Sequence, residues 1–169
     1  KALCLKWDTN YDGELSYEEA AKVQSLGTTF KEKTSIRLFK ELQYFTGISS
    51  LESSFYGCTG LVFVIIPSTV KTMKGTFSSC SSLIRVTIPN SVTELDGTFY
   101  GCKSLSSITI PNSVVKIGDD TFRECSKLTS LTFPDNVKTI GRYAIYNCTS
   151  MTTVTLGKNV ETIGLHGLR

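Results

Sequence analysis

Apolar residues recur along most of this chain with a period of 22 or 23 residues. An apolar side chain lies three positions before and three positions after each of five evenly spaced cysteines, and a proline lies nine positions after each of the first four. This regularity is typical of a solenoid, in which a single repeat cannot bury its own apolar face. The five cysteines are Cys58, Cys80, Cys102, Cys125 and Cys148.

Each repeat predicts one short strand and a return segment. The stretch Leu83–Pro89 has the LxxLxL spacing of a leucine-rich repeat, and its last two apolar residues, Val86 and Ile88, alternate along the strand. Proline then ends the strand because it has no backbone N–H to donate. A second apolar pair, three residues apart, returns the chain along the far side. The sequence therefore predicts a right-handed, β-rich leucine-rich repeat solenoid with strands about 4.8 Å apart.

The segment Asp8–Glu19 fits the loop of an EF-hand calcium site at every diagnostic position. Its side-chain and backbone oxygens are the ligands that Ca²⁺ prefers, and Gly13 permits the sharp turn. The competing interpretation, a solvated acidic turn before a helix, does not explain Gly13 together with the apolar anchor Leu15. The predicted calcium ligands are Asp8, Asn10, Asp12, Glu14, Ser16 and Glu19.

Helices are predicted on both sides of this loop. One covers Ala2–Trp7, and the other runs from about Ser16 or Tyr17 to Leu26, where Gly27 ends it. The chain has one such loop. A dockerin-type ligand of cohesin needs two loops, and calcium switch proteins normally pair their loops, so both classes are disfavoured. We expect a small helix-loop-helix module in which calcium is a structural clip, an ion that holds the segment in place.

The repeat frame extends one step towards the N-terminus in degraded form, with Ile36 at the place of the cysteine. An atypical first repeat is what a capping coil shows. The predicted organisation is therefore an EF-hand-like calcium module over residues 1–27, a capping segment with the degenerate first repeat over 28–54, and regular repeats over 55–169, the last of them incomplete.

The cysteines allow two interpretations. Stacked coils would bring successive cysteine Cα atoms within disulfide distance. Each repeat cysteine would have two equal neighbours, however, and five is an odd number, so we expect a stack of buried free thiols. Cys4, the sixth, has no evident partner, and no CxxC pair indicates a zinc site. His166 is the only histidine, so no catalytic arrangement is indicated.

Composition mainly excludes functions. The chain has 169 residues and a formal charge of +3, and its basic residues form no stripe, so a nucleic-acid partner is not expected. The longest apolar run, Leu61–Ile66, is far shorter than the roughly 20 residues of a membrane helix. No signal peptide is visible, and we interpret the chain as a processed or trimmed piece.

The outward strand positions, five and seven residues after each cysteine, carry mostly hydroxyl groups. They begin at an apolar corner made of Val62, Phe63, Ile65 and Ile84. This corner is either a binding patch or covered by the N-terminal helix and the segment Thr28–Lys40, and cover is favoured because the corner lies beside the cap. The candidate binding residues are Phe63, Ile65, Arg85, Thr87, Ser107, Thr109, Ser130, Thr132, Thr153 and Thr155.

The frame Phe-x-x-Cys-x-x-Leu-x-x-(Val or Ile)-x-Ile-Pro-x-x-Val-x-x-Ile-Gly, as it stands from Phe99 to Gly118, closely resembles the BspA-type leucine-rich repeat. The resemblance covers about Ile36–Arg169. The DxNxDGELS segment looks like the calcium-loop modules ahead of such repeats in surface proteins of gut and oral Bacteroidetes. Gly157 in place of proline and the short 22-residue coils depart from the family frame, and they affect turns more than fold.

The resemblance implies a secreted or bacterial cell-surface protein that binds without catalysis. It implies adhesion to host extracellular-matrix proteins, such as fibronectin or fibrinogen, or to other cells. No family set of matrix-binding residues can be carried over. Two alternatives stay open: a structural spacer that displays another module, and a carbohydrate-binding surface on the Ser/Thr side. We therefore predict an adhesin with Ca²⁺ as its structural ion, neither an enzyme nor a membrane-spanning protein.

Overall fold

The computed structural model describes residues 2–169. This part of the chain contains the helix α1 over Tyr17–Lys22, 3-10 helices over Ala2–Trp7 and Lys40–Tyr44, and eight short strands. None of its helices is long and apolar enough to cross a bilayer. The strands are β1 Leu38–Phe39, β2 Phe63–Val64, β3 Glu94–Leu95, β4 Lys116–Ile117, β5 Ser130–Thr132, β6 Thr139–Ile140, β7 Thr153–Thr155 and β8 Thr162–Ile163.

The return segments of successive repeats lie on one side of the solenoid, which we call the return side. Parallel strand pairing on this side joins six successive coils. β3, β4, β6 and β8 form one sheet in that order, and the bridges Ser50–Thr72 and Thr72–Glu94 extend it towards the N-terminus. The sequence analysis predicted strands on the opposite side, so this sheet is a correction. The coils approach closely here because glycine follows the later strands: a Cβ on Gly141 would lie 2.5 Å from the carbonyl carbon of Gly118.

The strands predicted from the LxxLxL spacing form only in part. On this side, which we call the front side, β1 pairs with β2 and a bridge from Phe63 to Arg85 adds the next coil. Further along, β5 pairs with β7. All of these pairs are parallel, as stacked coils require. The stretch from Ser106 to Ile110 lies between the two groups and pairs with neither.

A column of stacked phenylalanine rings runs through the core. Successive ring centroids lie 5.6 to 5.9 Å apart, with interplanar angles of 7 to 20°. Phe30 of the capping segment extends the column, 5.4 Å from the first ring. Buried side chains from Ala20 to Cys148 form one continuous cluster, so the N-terminal segment and the repeats share a core, and the three-segment division stays a prediction. The column consists of Phe55, Phe77, Phe99 and Phe122.

The six cysteines are free, which confirms the predicted thiols. Each repeat thiol donates a hydrogen bond to a carbonyl of the preceding coil, as Cys102 Sγ does to the Phe77 oxygen at 3.2 Å. Burial raises the pKa of Cys102 and Cys125 well above the usual value and that of Cys148 to about 11. At neutral pH these thiols are therefore protonated, and they pack as small apolar groups with one weak donor.

Buried threonines hold the coils together beside the phenylalanine column. Thr76, Thr98 and Thr121, each one residue before a phenylalanine, are fully buried. The Thr98 hydroxyl donates to the Met73 carbonyl oxygen at 2.9 Å and accepts the Asp96 amide at 3.2 Å. The other two donate to carbonyls of their preceding coils in the same way. These bonds satisfy polar groups that the stacking removes from water.

Replacing Thr98 by valine tests these bonds. Thr98→Val keeps the side-chain shape, and we expect the free energy of unfolding to fall by about 1–3 kcal/mol because the Met73 carbonyl loses a buried donor. Thr109→Val is the matched control, since its hydroxyl is exposed, and it should change stability by less than about 0.5 kcal/mol. Urea unfolding measures both. Equal losses in the two variants would contradict the role of the buried hydroxyls.

Candidate functional site

The N-terminal segment differs from the predicted helix-loop-helix. The helix α1 ends at Lys22 and not at Leu26, because the next residue, Val23, takes an extended conformation (φ −66°, ψ 121°) that brings both Val23 and Leu26 into the core. The segment Ala2–Trp7 is a 3-10 helix and not an α-helix. One short α-helix thus accompanies the loop in the described chain, and the predicted pair of helices is not supported.

The loop folds around the carboxylate of Asp8. Its two oxygens accept hydrogen bonds from the backbone amides of Tyr11 at 2.8 Å and Gly13 at 2.9 Å. Gly13 has φ +85°, a left-handed conformation that glycine adopts without strain. The Asn10 side-chain amide donates to Asp12 at 2.8 Å. Three of the predicted ligands, Asp8, Asn10 and Asp12, therefore lie on one tight turn.

Glu19 closes the loop from the helix side. Its side chain is largely buried, and Oε1 accepts the Thr9 amide at 2.6 Å while Oε2 accepts the Ser16 amide at 3.0 Å. The donors at Ser16 and Thr9 lower the pKa of Glu19 to about 2, because they favour the charged carboxylate. Ser16 accepts the Glu19 amide in return, which completes a capping box at the start of α1.

The loop does not gather its acidic groups into a metal cage. Within residues 2–169, no three His, Cys, Asp or Glu side chains come together in a way that could hold an ion. The Glu19 carboxylate is engaged by Thr9 and Ser16, and the Glu14 amide donates to Asp12 at 2.8 Å. The oxygen donors suit calcium chemically, and their role as ligands stays a prediction.

The predicted binding residues all keep part of their surface in solvent. Arg85 and the hydroxyl residues are exposed, whereas Phe63 and Ile65 are partly buried. We call this set the front face. It comprises Phe63, Ile65, Arg85, Thr87, Ser107, Thr109, Ser130, Thr132, Thr153 and Thr155.

The apolar corner of the front face stays partly open, contrary to the favoured interpretation of cover. Ile84 is 50 % exposed, and Leu38 on the neighbouring strand is 59 % exposed. Trp7, at the end of the N-terminal 3-10 helix, packs against Phe30 and Phe45 at the capped end of the core. The centroid of its ring lies 6.1 Å from that of Phe30 and 5.5 Å from that of Phe45. The capping segment meets the corner edge-on, through the pair β1–β2. Apolar surface therefore remains accessible at this end of the front face.

Sequence reasoning missed a cluster of rings around Arg123. The guanidinium carbon lies 5.4 to 5.6 Å from the ring centres of Tyr100, Tyr143 and Tyr146, and Nη1 lies 3.1 Å from the Asp120 carboxylate. The signal was an aromatic or basic residue directly after the apolar position that lies three residues before four of the five repeat cysteines, with Ser78 as the exception. Cation–π contacts of this kind stabilise the turns between successive coils.

The pH dependence of stability tests the buried carboxylate. The folded-state pKa of Glu19 lies near 2, against a usual value of 4.5, so its stabilising effect is complete above pH 4.5 and is lost as the pH falls towards 2. In chelator, Glu19→Gln should lower the melting temperature clearly at pH 7 and little at pH 2.5 (roughly the folded pKa). Glu18→Gln, an exposed neighbour, should match the wild type at both. A Glu19→Gln deficit that does not vary with pH would show that the carboxylate charge is unimportant.

A family model described as the BspA type leucine rich repeat region matches residues 28–97 and 46–167, most of the chain. No curated protein matches the sequence.

Solved structures extend this match. A leucine rich cell surface protein from Faecalibacterium prausnitzii shares 32 % identity with a TM-score of 0.62, over 65 % of this chain and 30 % of that one. A leucine-rich repeat protein of T. pallidum shares 28 % identity with a TM-score of 0.63, over 69 % of this chain and 67 % of that one. A Bacteroides ovatus leucine-rich repeat protein, 24 % identical over 81 % of this chain and 42 % of its own, has the same fold with a TM-score of 0.62.

The present chain thus spans 30 % of the length of the first of these relatives. Its repeat frame, its stacked parallel coils and the family match over most of its length agree with one another. The chain belongs to the BspA-type leucine-rich repeat family.

Proposed function

We propose that this protein is a non-catalytic module of a bacterial surface protein and that it binds a protein partner on its front face. The observation that carries this proposal is the open apolar corner beside a row of exposed hydroxyl side chains. Exposed apolar surface with a polar surround is typical of protein-binding sites. Ile84 and Leu38 supply apolar contact area, and the row from Thr87 to Thr155 supplies hydrogen-bonding groups without fixed charge.

The partner we propose is a host extracellular-matrix protein or a protein on another cell. The family resemblance supports this choice, and so does the description of the F. prausnitzii relative as a cell surface protein. A rigid solenoid holds such a face in one shape, so that binding orders few side chains and loses little conformational entropy. The Ser and Thr side chains of the face lose less rotamer freedom than long charged ones would.

Negative charge introduced on the front face tests the proposal. Thr109→Glu with Thr132→Glu places two negative charges on the front face, and a bound partner would bury both charges. We expect the affinity for an immobilised matrix protein to fall at least about ten-fold, with an unchanged melting temperature. Thr93→Glu with Thr162→Glu adds the same charge to exposed positions on the return side and should bind normally. Surface plasmon resonance against fibronectin, fibrinogen and a glycan panel measures the effect.

The outcomes separate the classes of function. Equal binding by both double variants would show that the front face is not the site. Binding confined to glycans would favour a carbohydrate-binding surface. Absence of saturable binding by the wild type to every immobilised ligand would favour a spacer.

We also propose that the N-terminal loop binds calcium as a structural clip. The support is the sequence pattern of the loop and the wrapping of Asp8, Asn10 and Asp12 around one turn. With the ion bound, Glu19 would exchange its amide donors for the metal, and the ion would supply the positive charge that those donors now provide. Since α1 packs on the capping segment through Ala20, the clip would stabilise the capped end of the solenoid.

Thermal unfolding in calcium and in chelator tests the clip. A ligand that binds only the folded state adds about 2.7 kcal/mol at one hundred times its Kd, so millimolar calcium should raise the melting temperature of the wild type by several degrees. Asp12→Asn removes one charge and keeps an oxygen to accept the Glu14 amide, and it should respond much less. Glu18→Gln, outside the ligand set, should respond like the wild type. Identical melting of the wild type in calcium and chelator would refute the clip.

A further inference from the structure

The hydrogen-bond ladder of the front side is interrupted at one coil. Four residues after a repeat cysteine, the backbone amide donates to the preceding coil: Val62 to Arg37 at 2.7 Å, Ile84 to Val62 at 3.2 Å and Thr152 to Thr129 at 2.8 Å. At the equivalent position of the middle coil, Ser106 makes no such bond, and neither does Thr129 of the next coil, although Ser104 still donates to the preceding coil at 3.1 Å.

The interruption extends over the whole front stretch of that coil. Among the described residues, no backbone amide or carbonyl from Ser106 to Ile110 is bonded to another backbone group, and the next backbone donor is Val114. Ser106, Ser107 and Thr109 are exposed, so water can reach this backbone. On the return side the same coil is fully paired, because β4 lies between β3 and β6.

A cleft lies between this coil and the preceding one. It encloses about 370 Å³ between the stretch Arg85–Ile88 and the stretch Ser107–Thr109. A second hollow of about 520 Å³ adjoins it and shares Thr87 and Asn90 with it. The cleft walls therefore combine unpaired backbone groups with the aliphatic side chains of Ile88 and Ile108.

Arg85, which lines the first hollow, is the only charged residue in the lining of the two hollows. Its side chain is exposed, its guanidinium lies 5.8 Å from the ring centre of Phe63, and none of the ion pairs among the described residues includes it. An unpaired cation at the mouth of an otherwise neutral cleft favours an acidic group on whatever occupies it.

We propose that the cleft takes up an extended peptide segment of a protein partner, which pairs as an added β-strand with the free backbone of residues 106–110 and places a carboxylate against Arg85. Strand addition of this kind draws its affinity from main-chain hydrogen bonds and its specificity from alternate side chains. At about 3.3 Å per residue, the free stretch accommodates about four peptide residues. The inference deepens the proposed protein-binding function of the front face and rests on it.

A synthetic octapeptide provides the test. It alternates valine and threonine around one central glutamate, and a second copy carries N-methyl groups on alternate amides, which removes main-chain donors and leaves the side chains unchanged. We expect the first peptide to slow hydrogen exchange of amides 106–110 by about ten-fold or more, measured by NMR on the intact chain. The N-methylated copy should give no protection. Equal protection by both, or protection by neither, overturns strand addition.

Charge exchange tests the role of Arg85. A peptide with lysine in place of glutamate should bind the wild type about three- to ten-fold more weakly, and Arg85→Glu should reverse that preference. Unchanged preference in Arg85→Glu overturns the assignment of the carboxylate to Arg85.

Proline substitutions at two matched positions test whether the Ser106 amide is free of a backbone partner. Ser106→Pro removes an amide that has no backbone partner, so it should keep the melting temperature and lose peptide binding. Thr152→Pro, at the equivalent position of a paired coil, removes the bond to Thr129 and should melt several degrees lower. A Ser106→Pro protein as unstable as Thr152→Pro would mean that the Ser106 amide is paired after all.

These results are separable from the proposed adhesive role. If the front-face double glutamate variant loses matrix binding while the peptide leaves amides 106–110 unprotected, the adhesive face stands and strand addition is overturned. If the peptide protects these amides while no matrix protein binds the chain, the strand site stands and the matrix partner is wrong.

Discussion

Each coil of this solenoid relies on the preceding coil for partners of its buried polar atoms. The hydroxyl of Thr98 reaches back 25 residues to the Met73 carbonyl, and the thiol of Cys102 reaches back 25 residues to the Phe77 carbonyl. A coil that lost its neighbour would leave these groups unpaired in an apolar core, at a cost that one coil's own apolar burial cannot offset. The same dependence sets the strict period of the sequence, since donor and acceptor must recur at the same height in every turn.

The two sides of the solenoid meet this demand differently. On the return side, glycines after the strands allow close approach, and the parallel ladder passes through six coils without a gap. On the front side the ladder is broken at residues 106–110, where backbone groups can bond to water. The return side therefore maintains the spacing of the coils, and the front side is left free to vary in side chain and in pairing. A surface that does not hold the fold together is the one on which binding can be altered without loss of stability.

The sequence predicted the inward positions well because burial imposes a strict pattern on side chains. The cysteine, phenylalanine and leucine frame correctly identified the core, the free thiols and the stacking of coils. It misassigned the continuous sheet, since the frame Leu105, Ile108 and Ile110 of the unpaired stretch is the same as that of paired coils. Apolar spacing fixes which way a side chain points, and it does not fix the distance between neighbouring backbones.

The N-terminal segment shows the same limit. The loop pattern correctly placed Gly13 at a left-handed turn and Glu19 at the end of the loop. The predicted helix to Leu26 failed because tertiary packing of Val23 outweighed local helical preference. A pattern of potential ligands likewise identifies oxygen atoms and not the partners that they take, and Glu19 takes backbone amides.

The buried thiols of the repeats also determine how this chain reacts with oxidants. Disulfide exchange and oxidation begin with a thiolate, and burial keeps Cys102 and Cys125 protonated and out of reach. In an oxidising medium these cysteines persist in the reduced state for as long as the coils stay closed. The rate at which these thiols are modified therefore reports how often one coil of the solenoid separates from the next.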